Sequence, residues 1–187
     1  MILLSVLCAG LVSAAHTARA ESVDQALYRI VHEDWQSPIL DPVMEGASRL
    51  GSAEGGLIVS ALLRTVGNEK ARDTGKLMFY SLVGASAFTS GLKFVVNRDR
   101  PDETDHDRFN SSFPSGHATG AFAMASVAGA RYGSLRIPVY LLASTVAFSR
   151  VYLGRHYPSD VLVGAGIGLC AGWLVMKNEQ WILDLHF

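Results

Sequence analysis

Five apolar runs separated by short polar segments constrain this chain more than any other feature. They lie at Gly56–Val66, Leu77–Val96, Ala118–Ala130, Ile137–Phe148 and Val161–Met176. Each is rich in Gly, Ala and Ser, which lets neighbouring backbones approach closely, as helices do in lipid. None is a clean span of about twenty apolar residues, and the first is short and carries Arg64. Charge is sparse: 18% of the 187 residues are charged and 49% are hydrophobic, against about 25% charged in a soluble domain. That excludes a disordered chain. A net charge of −1 excludes a nucleic-acid binder driven by bulk charge. The pattern predicts one all-α domain, a polytopic membrane bundle of about five to six helices.

The flanks of this pattern add less. Residues Met1–Ala15 carry no charge, and Ala18-Arg19-Ala20 fits a small-x-small cleavage site before Glu21. Residues 1–20 therefore read as a signal peptide or as an uncleaved first transmembrane helix. Both send Glu21 onward out of the cytoplasm. Val23, Ala26, Leu27, Ile30 and Val31 recur at helical spacing and predict a short amphipathic helix. Pro38 and Pro42 are expected to break the chain after that helix. Cys8 and Cys170 both sit in apolar runs, so a disulfide framework or a cysteine-rich zinc site is not expected. Gly164, Gly168 and Gly172 form a small-xxx-small stripe suited to close helix packing.

Charge placement gives a topology. With Met1 cytoplasmic and each run crossing once, Arg64, Lys70, Arg72, Lys76, Arg131, Arg136 and Lys177 fall inside, as the positive-inside rule requires. Residues 16–55, 97–117 and 149–160 are left outside. The last two hold Arg98, Arg100, Arg108, Arg150 and Arg155. Cations kept on the disfavoured side call for a role, and binding an anion supplies one.

Three motifs fall on that same side. In Lys93-x6-Arg100-Pro101, two cations flank the end of a span. They suit a phosphate, although snorkelling anchors look the same when taken alone. In Pro114-Ser115-Gly116-His117, Ser115 is a natural N-cap, Gly116 admits a close ligand, and the helix start offers free N–H groups to an anion. His117 is placed to donate a proton. In Ser149-Arg150-x5-His156-x3-Asp160, Arg150 adds a cation, and His156 and Asp160 are spaced to meet at a helix start. A carboxylate there fixes the imidazole tautomer and raises its basicity. A capped helix with a spectator His, or a helix-capping Asp, would explain each motif singly. Their conjunction describes a phosphate-transfer site.

Together the three motifs, over residues 93–160, resemble the full signature of the type 2 phosphatidic acid phosphatase (PAP2) superfamily. The resemblance implies an all-α, PAP2/haloperoxidase-like core over residues 21–187 and a histidine-nucleophile phosphatase that needs no metal or other cofactor. It implies that His156 attacks phosphorus, that Asp160 orients His156, and that His117 protonates the leaving oxygen. Lys93, Arg100, Ser115, Gly116 and Arg150 would hold the phosphoryl oxygens. The run Val161–Gly166 looks like the last membrane helix of the lipid phosphatase branch. That branch implies a multi-pass protein of the bacterial inner membrane with its site facing the periplasm.

Phosphatidic acid, phosphatidylglycerophosphate, an undecaprenyl diphosphate and lipid A phosphate are all candidate substrates, and sequence physics does not separate them. A soluble periplasmic acid phosphatase and a catalytically idle lipid-binding membrane protein are the alternatives. Asp102, Glu103, Asp105, His106 and Asp107 cluster in the loop after Pro101, but match no standard metal spacing. A solvated acidic loop is expected there, with Arg98, Arg108 and Arg155 either pairing with it or touching a headgroup.

Overall fold

The computed structural model describes residues 18–102 and 110–185. Residues 1–17 of the predicted signal peptide or first span, and residues 103–109 of the acidic loop, lie outside the described residues, while residues 18–20 open the first helix. Among those residues the chain is a bundle of eight helices with no strand. They are α1 Ala18–Arg29, continued by a π-helical turn Ile30–Asp34, α2 Asp41–Leu50, α3 Ala53–Val66, α4 Glu69–Val96, α5 Gly116–Arg131, α6 Arg136–Tyr152, α7 Pro158–Lys177 and α8 Glu179–Asp184.

The five apolar runs are α3 to α7, each extended past its apolar stretch by polar end signals. Ser52 caps α3 by accepting from the Gly55 N–H at 3.1 Å. Asn68 caps α4 through the Ala71 N–H at 3.0 Å. Both satisfy donors that a helix start leaves orphaned. The cap at Asn68 sets α4 at 28 residues, about 42 Å at 1.5 Å per residue. Helices α4 and α7 are long and apolar enough to cross a membrane.

The chain leaves helix at residues 35–40, with Pro38 in the turn as expected, but Pro42 does not act as a breaker. Pro42 sits in the first turn of α2, where its missing N–H has no partner to lose and its fixed φ suits the helix.

Helix α5 packs between α4, α6 and α7. Its contact with α7 runs along the glycine stripe. A Cβ on Gly164 would meet the Ser115 carbonyl at 2.5 Å, and one on Gly168 would meet the Ala123 nitrogen at 2.8 Å. The two backbones touch because nothing stands between them, as small residues allow in lipid. Leu77, Met78, Val127, Ala128 and Ile182 form one apolar core, and Ala118, Ala147, Val151 and Val161 form another. Leu62, Val66, Val95, Ile137, Leu141, Leu162 and Trp173 face outward and are exposed. A bundle with so much apolar outer surface is matched to lipid rather than water.

The N-terminal amphipathic helix is present, but the face it turns to the bundle is rotated from its apolar stripe and shares only Val31 with it. Val23, Leu27 and Ile30 are exposed. The inward stripe is Asp24, which is buried, with Tyr28 and Val31, which pack on the second core.

Candidate active site

The site forms at one end of the bundle, where the ends of α4 and α6 meet the starts of α5 and α7. At the end of α4, Asn97 takes a left-handed conformation, φ 47°, which asparagine tolerates better than most residues. The chain turns back there. Ser112 N–H donates to the Arg98 carbonyl at 2.7 Å, and Arg98 N–H donates to Ser111 Oγ at 3.0 Å. Lys93, in the last turn of α4, donates to the Ser111 carbonyl. Arg100 Nε donates to the Asn110 carbonyl at 3.0 Å. The first motif is thus tied to the segment that precedes the second.

Ser115 is the N-cap of α5, accepting from Ala118 N–H at 3.5 Å, and is fully buried. Its own N–H donates to the Asp160 carbonyl at 3.0 Å, which joins the starts of α5 and α7. Gly116 is exposed, and a Cβ there would meet nothing within 4 Å. Packing therefore does not demand this glycine. His117 is half-buried beside it.

At the end of α6, Arg150 is buried. Its Nη1 donates to Ser48 Oγ on α2, while its Nε is buried with no hydrogen-bond partner among the described residues. The Arg150 carbonyl accepts from the N–H groups of Arg155 at 3.0 Å and His156 at 3.2 Å. This tight return passes through Gly154 at φ +76°, where a Cβ would lie 2.8 Å from the His32 ring. Only glycine meets both demands.

His156 is 2% exposed and Asp160 is 0% exposed. Their Nδ1 and Oδ2 atoms are 3.8 Å apart. Ser112 lies between them: its hydroxyl donates to Asp160 Oδ2 at 2.5 Å and sits 3.5 Å from His156 Nδ1. Asp160 Oδ2 also accepts from Tyr157 N–H at 2.9 Å, so the same carboxylate caps α7. Its Oδ1 accepts from Arg98 Nη1 at 2.8 Å. Burial pushes the His156 imidazole below the usual histidine range, against the pull of Asp160.

The cations form one cluster with the histidines. Lys93 feels the charges of Arg100, Arg150 and Asp160. His117 feels those of Arg150, His156 and Arg100, and also that of Glu54 at the start of α3. Cations held together against mutual repulsion, around a helix start, suit an anion. Lys93, Arg100, Ser115, Gly116, His117, Arg150, His156 and Asp160 are all brought to this end.

Sequence reasoning missed Ser48, Glu54, Ser112, Ser159 and Asp24 altogether, and left Arg98 between two readings. Arg98 serves Asp160 and Asp24, while Arg155 pairs with Asp102 at 2.7 Å, at the edge of the acidic loop. The Asp24, Tyr28 and Val31 spacing was the one available signal for Asp24. No cluster of metal-ligand type occurs among the described residues.

Comparison with known proteins agrees with this arrangement. The family model of the PAP2 superfamily matches residues 75–184. Over 126 residues the chain is 35% identical to the lipid A 1-phosphatase of Porphyromonas gingivalis; this covers 63% of the chain and 26% of that protein, so the chain spans about a quarter of its length. It is 32% identical over 190 residues to phosphatidylglycerophosphatase B of Bacillus subtilis, covering 92% and 91% of the two chains. The crystal structure of a transmembrane PAP2-type phosphatidylglycerolphosphate phosphatase from Bacillus subtilis superposes with a TM-score of 0.80 at 27% identity, covering 99% of this chain and 98% of that one. The relatives are membrane lipid phosphatases, and the chain itself belongs to the PAP2 superfamily.

Proposed function

We propose that this protein is a lipid phosphate phosphatase of the bacterial inner membrane. It hydrolyses a phosphomonoester or diphosphate of a lipid through a phosphohistidine, at a site facing the periplasm. The observation that carries this reading is the buried His156–Asp160 pair beside the cluster of Lys93, Arg100 and Arg150.

Nδ1 of His156 is the nitrogen turned to Asp160 and Ser112, which leaves Nε2 to attack phosphorus. Burial and the charges of Arg150, His156 and Arg100 lower the pKa of His117 to about 4, and the bound phosphate anion offsets those cations so that His117 takes up a proton. As the Nε2–P bond forms, the bond from phosphorus to the lipid oxygen breaks, and His117 gives that oxygen this proton. The imidazole becomes cationic, and the Asp160 carboxylate stabilises it. Water then attacks phosphorus, with neutral His117 taking its proton, and the N–P bond breaks to release phosphate. Lys93, Arg100 and Arg150 hold the phosphoryl oxygens, with the α5 N-terminus at Ser115 and Gly116. Charge held in place where it develops is the largest contribution such a site makes. No step calls for a metal or other cofactor.

The membrane setting rests on the apolar outer faces of the bundle. The periplasmic side rests on the distribution of Lys and Arg, with Lys76, Arg131 and Lys177 at the end opposite the site. Phosphatidic acid, phosphatidylglycerophosphate, undecaprenyl diphosphate and lipid A phosphate remain the substrates to compare. The deciding experiment measures phosphate release from these four by detergent-purified protein, with rapid acid-free quenching of labelled substrate. Trapped phosphohistidine in wild type and none in His156→Ala is expected. An adduct that survives in His156→Ala overturns the mechanism.

A further inference from the structure

Behind the His156–Asp160 pair a row of opposite charges continues away from the substrate side. Arg98 Nη1 donates to Asp160 Oδ1 at 2.8 Å, and Arg98 Nη2 donates to Asp24 Oδ2 at 2.8 Å. One guanidinium therefore serves two carboxylates. Asp24 comes from α1, about seventy residues earlier in the chain, and is 7% exposed. It is fixed from the α7 side as well. Ser159 N–H donates to Asp24 Oδ1 at 2.8 Å, and Ser159 Oγ donates to Asp24 Oδ2 at 2.5 Å. Arg98 Nη1 also reaches Ser159 Oγ at 2.8 Å, and the Arg98 guanidinium lies 4.1 Å from the centre of the Tyr157 ring.

A buried carboxylate paired one-to-one with a guanidinium has little charge left for a third group. Asp160 is the carboxylate meant to stabilise a cationic His156, yet it is paired with Arg98. A second carboxylate on the same guanidinium changes the sum. Asp24, Arg98 and Asp160 together carry one net negative charge, and His156 faces its near end.

We propose that Asp24 is a positioning residue for catalysis: by sharing the Arg98 guanidinium it preserves the negative charge that Asp160 presents to His156. This inference rests on the reading of His156 as nucleophile. Neither residue is a specified position of the three motifs: Asp24 lies outside all of them and Arg98 is one of the six unspecified residues between Lys93 and Arg100. They lie on segments 16–55 and 97–117, which the fold brings together. The other charges facing this row are common to wild type and to every variant of Asp24 and Arg98. Lys93 on α4, Arg100 in the α4–α5 connection and His117 on α5 face His156. Arg150 on α6 faces Lys93 and His117. The Tyr157 ring lies against Arg98, and Asp99 faces Tyr157.

The test is the acid limb of kcat/KM on p-nitrophenyl phosphate, which reports free-enzyme ionisations. Ionisation of the phosphate ester, near pH 6, contributes equally to every variant. Asp24→Asn leaves Arg98 to neutralise Asp160, so protonated His156 is less stable. The limb moves to lower pH by about one unit or less, and the plateau falls by less than about tenfold. Arg98→Gln leaves Asp160 unshielded, and the limb moves to higher pH. The double variant restores the net charge of the row and returns the limb toward wild type. A purely structural role for Asp24 would move both single variants the same way and leave the double variant worst.

Shifts of equal sign, or no shift in either single variant, overturn the inference. If Asp24→Asn cannot be purified folded, an unmoved limb in Arg98→Gln overturns it alone. His156→Ala separates this failure from the larger one: turnover in that variant defeats the nucleophile assignment, whereas an inactive His156→Ala with unmoved limbs defeats only the role of Asp24.

Discussion

Gly164 on α7 faces the carbonyl oxygen of Ser115 on α5 so closely that a Cβ would come within 2.5 Å of it. Ser115 caps the helix that carries His117, and α7 begins at Pro158 and carries Asp160 two residues on. The glycine contact therefore sets the spacing between the two halves of the site. Gly164→Ala forces the helices apart or strains both, costing about 1–3 kcal/mol. It lowers kcat about 10–100-fold, because small misplacements of reacting groups are expensive. Gly166, two residues on, has nothing within 4 Å of a built Cβ, so Gly166→Ala leaves both quantities near wild type. Thermal unfolding in detergent and aryl phosphate turnover check the pair; equal behaviour of the two variants refutes the spacing role.

Two serines outside the signature divide the labour differently. Ser112 bridges Asp160 and His156, on the side of the nucleophile. Ser48 holds Arg150, on the side of the phosphate. A hydrogen bond to a charged group contributes about 1.5–3 kcal/mol, so each alanine variant loses about tenfold or more in kcat/KM. Ser112→Ala loses it in kcat, since the imidazole is less well oriented. Ser48→Ala loses it chiefly in KM, since a mobile Arg150 grips the phosphate less well in ground and transition state alike. Steady-state kinetics on one lipid phosphate separates them, and the opposite split contradicts the placement.

The sequence made the helices and the signature legible because both come from short-range rules. Apolar runs, cap residues such as Ser52 and Asn68, and the four-residue step from His156 to Asp160 are all local. The placement of the three outside segments at one end was also readable, from the count of crossings and the side on which Lys and Arg fall. What escaped was long-range. Asp24 meets Arg98 and Ser159 from a helix far off in sequence, and Ser48 reaches Arg150 across 102 positions. The helix α1 was legible, but not the face it turns to the bundle, which depends on the same distant partners. Exposed Val23, Leu27 and Ile30 look like a core stripe only when the surroundings are taken to be water. Pro42 misled because a proline in the first turn starts a helix as readily as one in the middle ends it.

Burial of His156 gives a stability that depends on pH. Its folded value lies below the unfolded one because burial disfavours the cation. The unfolded chain therefore binds its proton first as pH falls. The contribution of the neutral, buried ring is fully present above the unfolded histidine value of about 6.5 and is lost as pH falls from there toward the folded value. Wild type should lose more unfolding temperature between pH 7 and pH 5 than His156→Gln, which has no such proton to take up. Parallel curves for the two proteins contradict a depressed His156.

Lys93, Arg100 and Arg150 supply at the phosphate the positive charge that a divalent ion supplies in many other phosphatases. Activity should therefore survive EDTA. Vanadate, which can take the five-coordinate geometry of the transferring phosphoryl group, should inhibit competitively. Activity that disappears in EDTA and returns with one divalent ion rules out this charge arrangement as sufficient.

The two histidines are separable by the leaving group. His156→Ala removes the atom that forms the covalent bond, so turnover of every substrate collapses. His117 supplies a proton to the departing oxygen, a contribution of about 10²–10⁴-fold. The demand for that proton scales with the basicity of the oxygen. An alkoxide leaving from a lipid needs it badly, whereas p-nitrophenolate leaves nearly unaided. His117→Ala should therefore lose far more activity on a lipid phosphate than on p-nitrophenyl phosphate, and with the aryl ester it should still form phosphohistidine in a rapid quench. The covalent adduct should also persist longer in that variant, because the second step needs His117 to take a proton from water. Asp160→Asn should fall between the two on both substrates, since His156 remains but loses the carboxylate that stabilises its cation. Equal loss on both substrates in His117→Ala, or an adduct in His156→Ala, reverses the assignment of the pair.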